Sequence, residues 1–190
     1  MNSEQYKYDA FISYRHLPED KAAAVYLQQL LERHKRKDGK HLRIFRDQSE
    51  LPTSGDLGSD IQDALAQSRF LIVIASPSYR ESKWCMAELN YFRSLHVNSN
   101  HRILPLLLVG EPAESFPEVL RWEMEEVVST DGSKHLERQE VEPHGADIRA
   151  VSIRKQRKRL KTEYLRIAAP ILGCGFDDLY QRAQRKWNIL

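Results

Sequence analysis

Phe70 to Ala75 reads FLIVIA, an unbroken apolar run of strand length. A half-buried strand alternates apolar and polar residues. A run without alternation predicts burial on both faces, as in a parallel sheet covered by helices. Pro77 ends it. Two further runs bracket it: Tyr8 to Ser13, YDAFIS, and Ile103 to Val109, ILPLLLV. Each predicts a strand. Pro105 lacks the donor that a ladder needs, so it predicts an edge position or a strand start.

The stretches between these runs predict helices and turns. Pro18-Glu19-Asp20 opens a helix with acids in its first turn, and Ala23, Leu27, Leu30, Leu31 and His34 follow at helical spacing. Lys35 to Lys40 is a basic turn around Gly39, and Leu42 to Phe45 is a second short strand. Arg46 to Gly55 is loop material, carrying Pro52 and Gly55. Leu57 to Gln67 predicts a helix with Ile61 and Leu65 on one face. Ser82 is placed to cap a helix from Lys83 to about His96. Glu111 to Arg121 is an acidic, proline-containing connection, Trp122 to Ser129 a weaker fifth strand, and Thr130 to Gly145 a polar surface loop. Ile153 to Ile171 predicts a helix with Ile153, Leu160, Tyr164, Ile167 and Ile171 as its buried stripe. Phe176 to Trp187 is a last short helix with Asp177 and Asp178 near its start.

Strands that alternate with helices give the fold class: α/β, flavodoxin-like, a three-layer αβα arrangement of a five-stranded, mostly parallel sheet, with an extra C-terminal helical segment. In such sheets ligands bind beyond the carboxyl ends of the strands. Here those ends are Ser13 to His16, Arg46 to Gly55, Ser76 to Ser82, and Val109 onward. No repeat or linker divides residues 1–190, which read as a single domain.

Composition narrows the classes. At 190 residues, 41% hydrophobic and 29% charged, the chain is too apolar for disorder and long enough to bury a core. Its longest nearly pure apolar run, Ile103 to Val109, is far short of a membrane span. Met1 to Gln5 lacks the charged-then-apolar pattern of a secretory signal. Cys85 and Cys174 make no disulfide framework or metal spacing, which favours a reducing cytoplasm. The net charge of +2 is uneven: residues 149–190 carry eleven Lys/Arg against three Asp/Glu, a net of +8, leaving −6 on residues 1–148. A basic tail of this kind suggests an acidic partner: nucleic acid, a membrane surface or the acidic part of a neighbouring copy. The run Arg154 to Lys161 has six Lys/Arg in eight residues. Its regular apolar stripe makes it first the wet face of an amphipathic helix, and no aromatics interleave with it to stack on bases, so nucleic acid is not the expected partner.

Several chemistries are set aside. The sequence has no phosphate-binding glycine loop, no G-x-S-x-G elbow and no histidine pair at metal spacing. A phosphoacceptor aspartate is missing from the end of the third strand, which reads Ile74-Ala75-Ser76-Pro77.

The helix after Ser82 carries the sharpest signal. Trp84, Glu88, Tyr91 and Leu95 fall on one helical stripe, so a glutamate sits among aromatic and aliphatic residues. Glu88 is either an edge residue with its charge in water or a carboxylate held in a partly desolvated pocket for a task. One carboxylate suffices to cleave the N-glycosidic bond to a pyridinium. Nicotinamide leaves NAD+ as a neutral molecule, so the demand is to stabilise an oxocarbenium-like ribose and hold its hydroxyls.

Three stretches together resemble a Toll/interleukin-1 receptor (TIR) domain, over about residues 6–130, with the C-terminal helices at about 150–187 beyond them. They are Tyr8-Asp9-Ala10-Phe11-Ile12-Ser13-Tyr14-Arg15; Phe45-Arg46-Asp47 with Leu51-Pro52 and Gly55; and Ser76-Pro77-Ser78-Tyr79 with Ser82-Lys83-Trp84-Cys85-Met86-Ala87-Glu88-Leu89. The basic C-terminal helix is similar to bacterial members. The resemblance implies an NAD+ hydrolase that releases nicotinamide and leaves ADP-ribose or a cyclic isomer, in defence or cell-death signalling. It implies Glu88 as the catalytic residue and Tyr14, Arg15, Asp47, Ser76 and Trp84 as substrate-binding residues. NAD+ is substrate, and no cofactor or metal is implied. It also implies a homo-oligomer in which the Arg46–Gly55 loop of one copy completes the site of the next. The alternative within the family is a non-catalytic TIR–TIR interaction module. A third class, a nucleoside deoxyribosyltransferase-like enzyme, also uses a glutamate but lacks these loop sequences.

Overall fold

The computed structural model describes residues 6–48, 57–96, 100–141, 143 and 145–188. Its centre is the strand at FLIVIA. In chain order the elements are β1 (Tyr8–Ser13), α1 (Pro18–Leu31), β2 (Ile44–Arg46), α2 (Ser59–Ala66), β3 (Ser68–Ala75), α3 (Pro77–Glu81) and α4 (Lys83–Leu95). They are followed by β4 (Ile103–Leu107), α5 (Pro112–Ser115), α6 (Glu118–Arg121), β5 (Trp122–Val128), β6 (Lys134–Glu140), β7 (Ala146–Asp147), α7 (Ile153–Leu172) and α8 (Phe176–Asn188).

The main sheet has the order β2-β1-β3-β4-β7, and every pair in it is parallel. Successive side chains of β3 point to opposite faces. Phe70, Ile72 and Ile74 join one core with α1, α7 and α8. Leu71, Val73 and Ala75 join the other with α2 and α4. The unalternating run is thus the seam between two cores, as a doubly covered sheet requires. On the first face α7 lies along α1 with Leu160, Ile167 and Ile171 buried. Ile153, expected in that stripe, is 48% exposed at the helix start, before α7 reaches the core. The helix ends on Gly173 at φ +68°, where Cys174 N–H reaches back to the carbonyl of Ala169. That geometry closes the orphan carbonyls of the last turn.

The fifth strand differs from the expectation. Trp122–Val128 is a strand, but it pairs antiparallel with β6 in a separate two-stranded hairpin, inside the stretch expected to be loop. The sheet's fifth member is the two-residue β7. The reason is burial: Glu123, Glu125 and Glu126 are exposed, and no covered parallel strand accommodates them. Pro105 is matched with Val73 in the interior of the β3–β4 pair, and β7 pairs only from Leu106 onward. The proline therefore sits just before the outer ladder begins, where its missing N–H breaks no bond to β7.

Gly145 makes this edge possible. A Cβ there would lie 2.1 Å from the Pro105 carbonyl oxygen. Gly145→Ala must push β7 off the sheet. The expected loss is about 1–3 kcal/mol of unfolding free energy in urea titrations, the usual cost of overpacking. An unchanged midpoint and slope would show that β7 does not hold the edge.

Candidate functional site

The site forms where β1, β2 and β3 end. Ser13 is the last residue of β1 and shares the face of Phe11, which packs toward α4. Ser82 caps α4 by accepting the Cys85 N–H at 3.3 Å, as expected. The helix then buries Cys85, Glu88, Leu89 and Phe92. Glu88 is therefore an inward-facing position of an amphipathic helix, only 3% exposed. The inner stripe is rotated from the one read in sequence: Trp84 and Tyr91 flank it half-buried, and Leu95 is 41% exposed.

Ser13 Oγ donates to Glu88 Oε2 at 2.5 Å. The Tyr79 hydroxyl lies 2.8 Å from Ser13 Oγ, placed to donate to it while Ser13 donates to the carboxylate. Burial pushes the Glu88 carboxyl up from its ordinary 4.5 to about 8. The negative charge of Asp47 pushes the same way, while the hydrogen bond from Ser13 and the neighbouring Trp84 side chain favour the charged form. Trp84 therefore bears on the carboxylate as well as packing against the core.

The other expected residues fall into two groups. Tyr14, Arg15 and Asp47 gather at the ends of β1 and β2. The buried Tyr14 hydroxyl donates to the Asp47 carbonyl at 2.6 Å and accepts from Arg46 at 3.2 Å, and its ring stacks on His16. Tyr14 therefore pins the start of the loop after β2. Asp47 is buried. Arg15 Nε is buried and has no hydrogen-bond partner among the described residues. Ser76 stands apart: its hydroxyl caps α3 by accepting the Tyr79 N–H at 3.1 Å, and it shares no hydrogen bond with Glu88 among the described residues. Leu51, Pro52 and Gly55 of the expected loop lie outside the described residues.

Three residues join the site without having been singled out. Ser13 holds the carboxylate, and Tyr79 holds Ser13. Asp20, in the first turn of α1, is buried, and burial raises its carboxyl to about 6, with Arg15 pulling it down. One Asp20 oxygen has no hydrogen-bond partner among the described residues. The charges of Glu88, Arg15 and Asp20 all act on Cys85, one turn before Glu88. Burial first, and then the Glu88 charge, push the Cys85 thiol to about 12. Among the described residues no group of His, Cys, Asp and Glu has the makings of a metal site, and no helix is long and apolar enough to cross a membrane.

A parallel α/β sheet with a buried glutamate beyond its carboxyl edge defines the class. A family model described as TIR domain matches residues 10–145. The chain belongs to the TIR domain family. Two relatives are named as NAD(+) hydrolases. ApTIR of Actinoplanes sp. is 41% identical over 107 residues, 55% of this chain and 14% of the relative. TcpA of Theionarchaea archaeon is 31% identical over 117 residues, 60% of this chain and 33% of the relative. This chain thus matches no more than a third of either relative's length. A solved TIR domain of the activated Roq1 resistosome is 28% identical, covering 56% of this chain and 61% of that one with a TM-score of 0.46.

A carboxyl group raised by burial weakens the fold as it ionises. Between the ordinary 4.5 and about 8 the folded chain keeps a proton that the unfolded chain has lost, so stability falls as pH rises through that window. Glu88→Gln removes this dependence. Its stability relative to the parent is expected to grow from pH 5 to pH 8 by on the order of a few kcal/mol. Each kcal/mol is worth about 2–4 °C in melting temperature for a domain of this size. A constant difference across that range would place the charge elsewhere.

Proposed function

We propose that this chain is an NAD+ hydrolase that cleaves the bond between nicotinamide and ribose, with Glu88 as its catalytic residue. The observation that carries the reading is a carboxylate held 2.5 Å from Ser13 Oγ at the ligand-binding edge of the sheet. A protein that only assembles gains nothing from a buried glutamate that costs it stability.

The ionised Glu88 stabilises positive charge on the ribose as nicotinamide departs with the bonding electron pair. It then takes a proton from the water that attacks C1′. The products are ADP-ribose, nicotinamide and a proton, and no general acid is needed. A positively charged nicotinamide ring near Glu88 itself favours the ionised form. Trp84 supplies an aromatic wall beside the carboxylate. Arg15 and Asp20 hold a buried donor and a buried acceptor with no hydrogen-bond partner among the described residues. These suit the phosphates and hydroxyls of a dinucleotide. Tyr14 and Asp47 fix the point where the chain leaves β2 beside the site, and Ser76 contributes through the capped turn that carries Tyr79.

The same reading takes residues 1–190 as one TIR unit in the cytoplasm. It also takes the active form as an assembly in which the loop after β2 completes a neighbour's site. The relatives named as NAD(+) hydrolases support the activity. A role in defence rests on the family resemblance, which allows either a linear or a cyclic product.

Nicotinamide release by purified protein at high concentration tests this. Glu88→Ala and Glu88→Gln are each expected to lower turnover by about 10²-fold or more with the fold intact. Retained turnover would remove Glu88 from the mechanism. Because the ionised form acts, kcat/KM is expected to rise with pH to a limb near 8, and Ser13→Ala, which loses a bond to the charged form, to move that limb higher. A flat profile from pH 6 to 9 would contradict the role of the carboxylate. Specific activity is expected to increase with protein concentration. Full activity at nanomolar monomer, read by gel filtration, would remove assembly from the reading.

A further inference from the structure

A groove opens at the end of the α1/α7/α8 layer, with a volume of about 1050 Å³. Its floor includes Tyr164 and Leu179. Its rim carries Arg33, Lys35 and Lys37 from the turn after α1, and Arg182 and Arg185 from α8. Among the described residues none of these five cations makes an ion pair and no acid lines the groove. Five unpaired like charges around one concavity repel one another and concentrate an anionic partner.

The complementary surface is on the same chain. The β5–β6 hairpin projects from α6 with six acids against two Lys/Arg over residues 122–140. Direct pairing puts Glu123 opposite Gln139, Glu125 opposite Glu137 and Val127 opposite His135, all on one face of the ribbon. That face holds three exposed glutamates, two of them directly opposed. Like charges in register weaken a hairpin, and a two-stranded ribbon with no core behind it is marginal. Both defects are relieved by a cationic cover.

The hairpin grows from the layer containing Leu120 and Val119, whereas the groove belongs to the other layer. They lie on opposite sides of the sheet, which makes the contact heterologous. We propose that the acidic face of the β5–β6 hairpin docks in the cationic groove of a second copy of this chain, building an open head-to-tail array. Such a contact propagates because each copy keeps a free groove at one end and a free hairpin at the other. It is distinct from any contact through the loop after β2, and it does not depend on the reading of Glu88.

Sedimentation velocity on the full chain at 50 and 500 mM salt tests the contact by charge exchange. One variant reverses the groove (Arg33→Glu, Arg182→Glu, Arg185→Glu) and another the hairpin (Glu123→Lys, Glu125→Lys, Glu137→Lys). All six positions are exposed, and circular dichroism melts check that each variant folds. The parent is expected to associate at low salt and dissociate at high salt. Each variant alone carries like charges on both surfaces and is expected to associate about tenfold more weakly or less. Mixed one to one, the two variants again offer complementary surfaces, one pair with its native signs and one with signs exchanged, and are expected to recover association. Association that ignores both reversals, or a mixture that stays monomeric, overturns the proposal. So does a parent that remains monomeric at 200 µM while its groove binds inorganic polyphosphate, which would assign the groove to a phosphate polymer. Nicotinamide release is not part of the readout, so failure here leaves the hydrolase reading untouched.

Discussion

The hydrogen bond between Ser13 and Glu88 joins the end of the central strand pair to the inward face of α4, and the upper half of the molecule is organised around it. A helix that buries Cys85, Leu89 and Phe92 would ordinarily place another apolar residue at position 88. A carboxylate in that position is tolerated only with a donor opposite it, because an unsatisfied buried charge costs several kcal/mol. β1 supplies the donor by stopping at Ser13, level with Val73 while β3 runs on to Ala75. α3 supplies the next shell: Ser76 caps it, and the cap holds Tyr79 where its hydroxyl meets Ser13. The short turn of helix between β3 and α4 is therefore part of the same device as the carboxylate.

The two layers have different duties. The layer of α1, α7 and α8 is apolar where it meets the sheet and supplies most of the buried hydrocarbon. The layer of α2 and α4 gives up part of its burial to hold polar groups at the carboxyl edge. β2 is short, and its end is fixed by Tyr14 and Arg46. The loop that follows thus leaves the sheet from a defined point, and Asp47 is held close enough to act on Glu88.

Sequence patterning shows β1, β3 and β4 because their apolar runs are continuous, and it shows Glu88 because of its spacing from Trp84. It does not show how deeply Glu88 is buried, since that depends on Ser13 and Tyr79, far away in the chain. Asp20 is hidden for a related reason: an acid in a first helical turn is ordinary, and only the fold surrounds it with Arg15 and the sheet end. β7 is too short to carry any periodicity. The β5–β6 hairpin was legible in part. Asp131-Gly132 is a hairpin turn signal, with Gly132 at φ +84°, and the flanking polar residues conceal it because neither face of this ribbon joins the core.

Cys85 gives the site a property of another kind. It stands three residues before Glu88, sealed in the core, with its thiol pushed to about 12. At neutral pH the thiolate, the form that oxidants attack, is present on the order of once in 10⁵ molecules. Peroxide and disulfide stress therefore find no handle beside the carboxylate. Burial thus keeps the sulfur next to the carboxylate in its protonated, unreactive form.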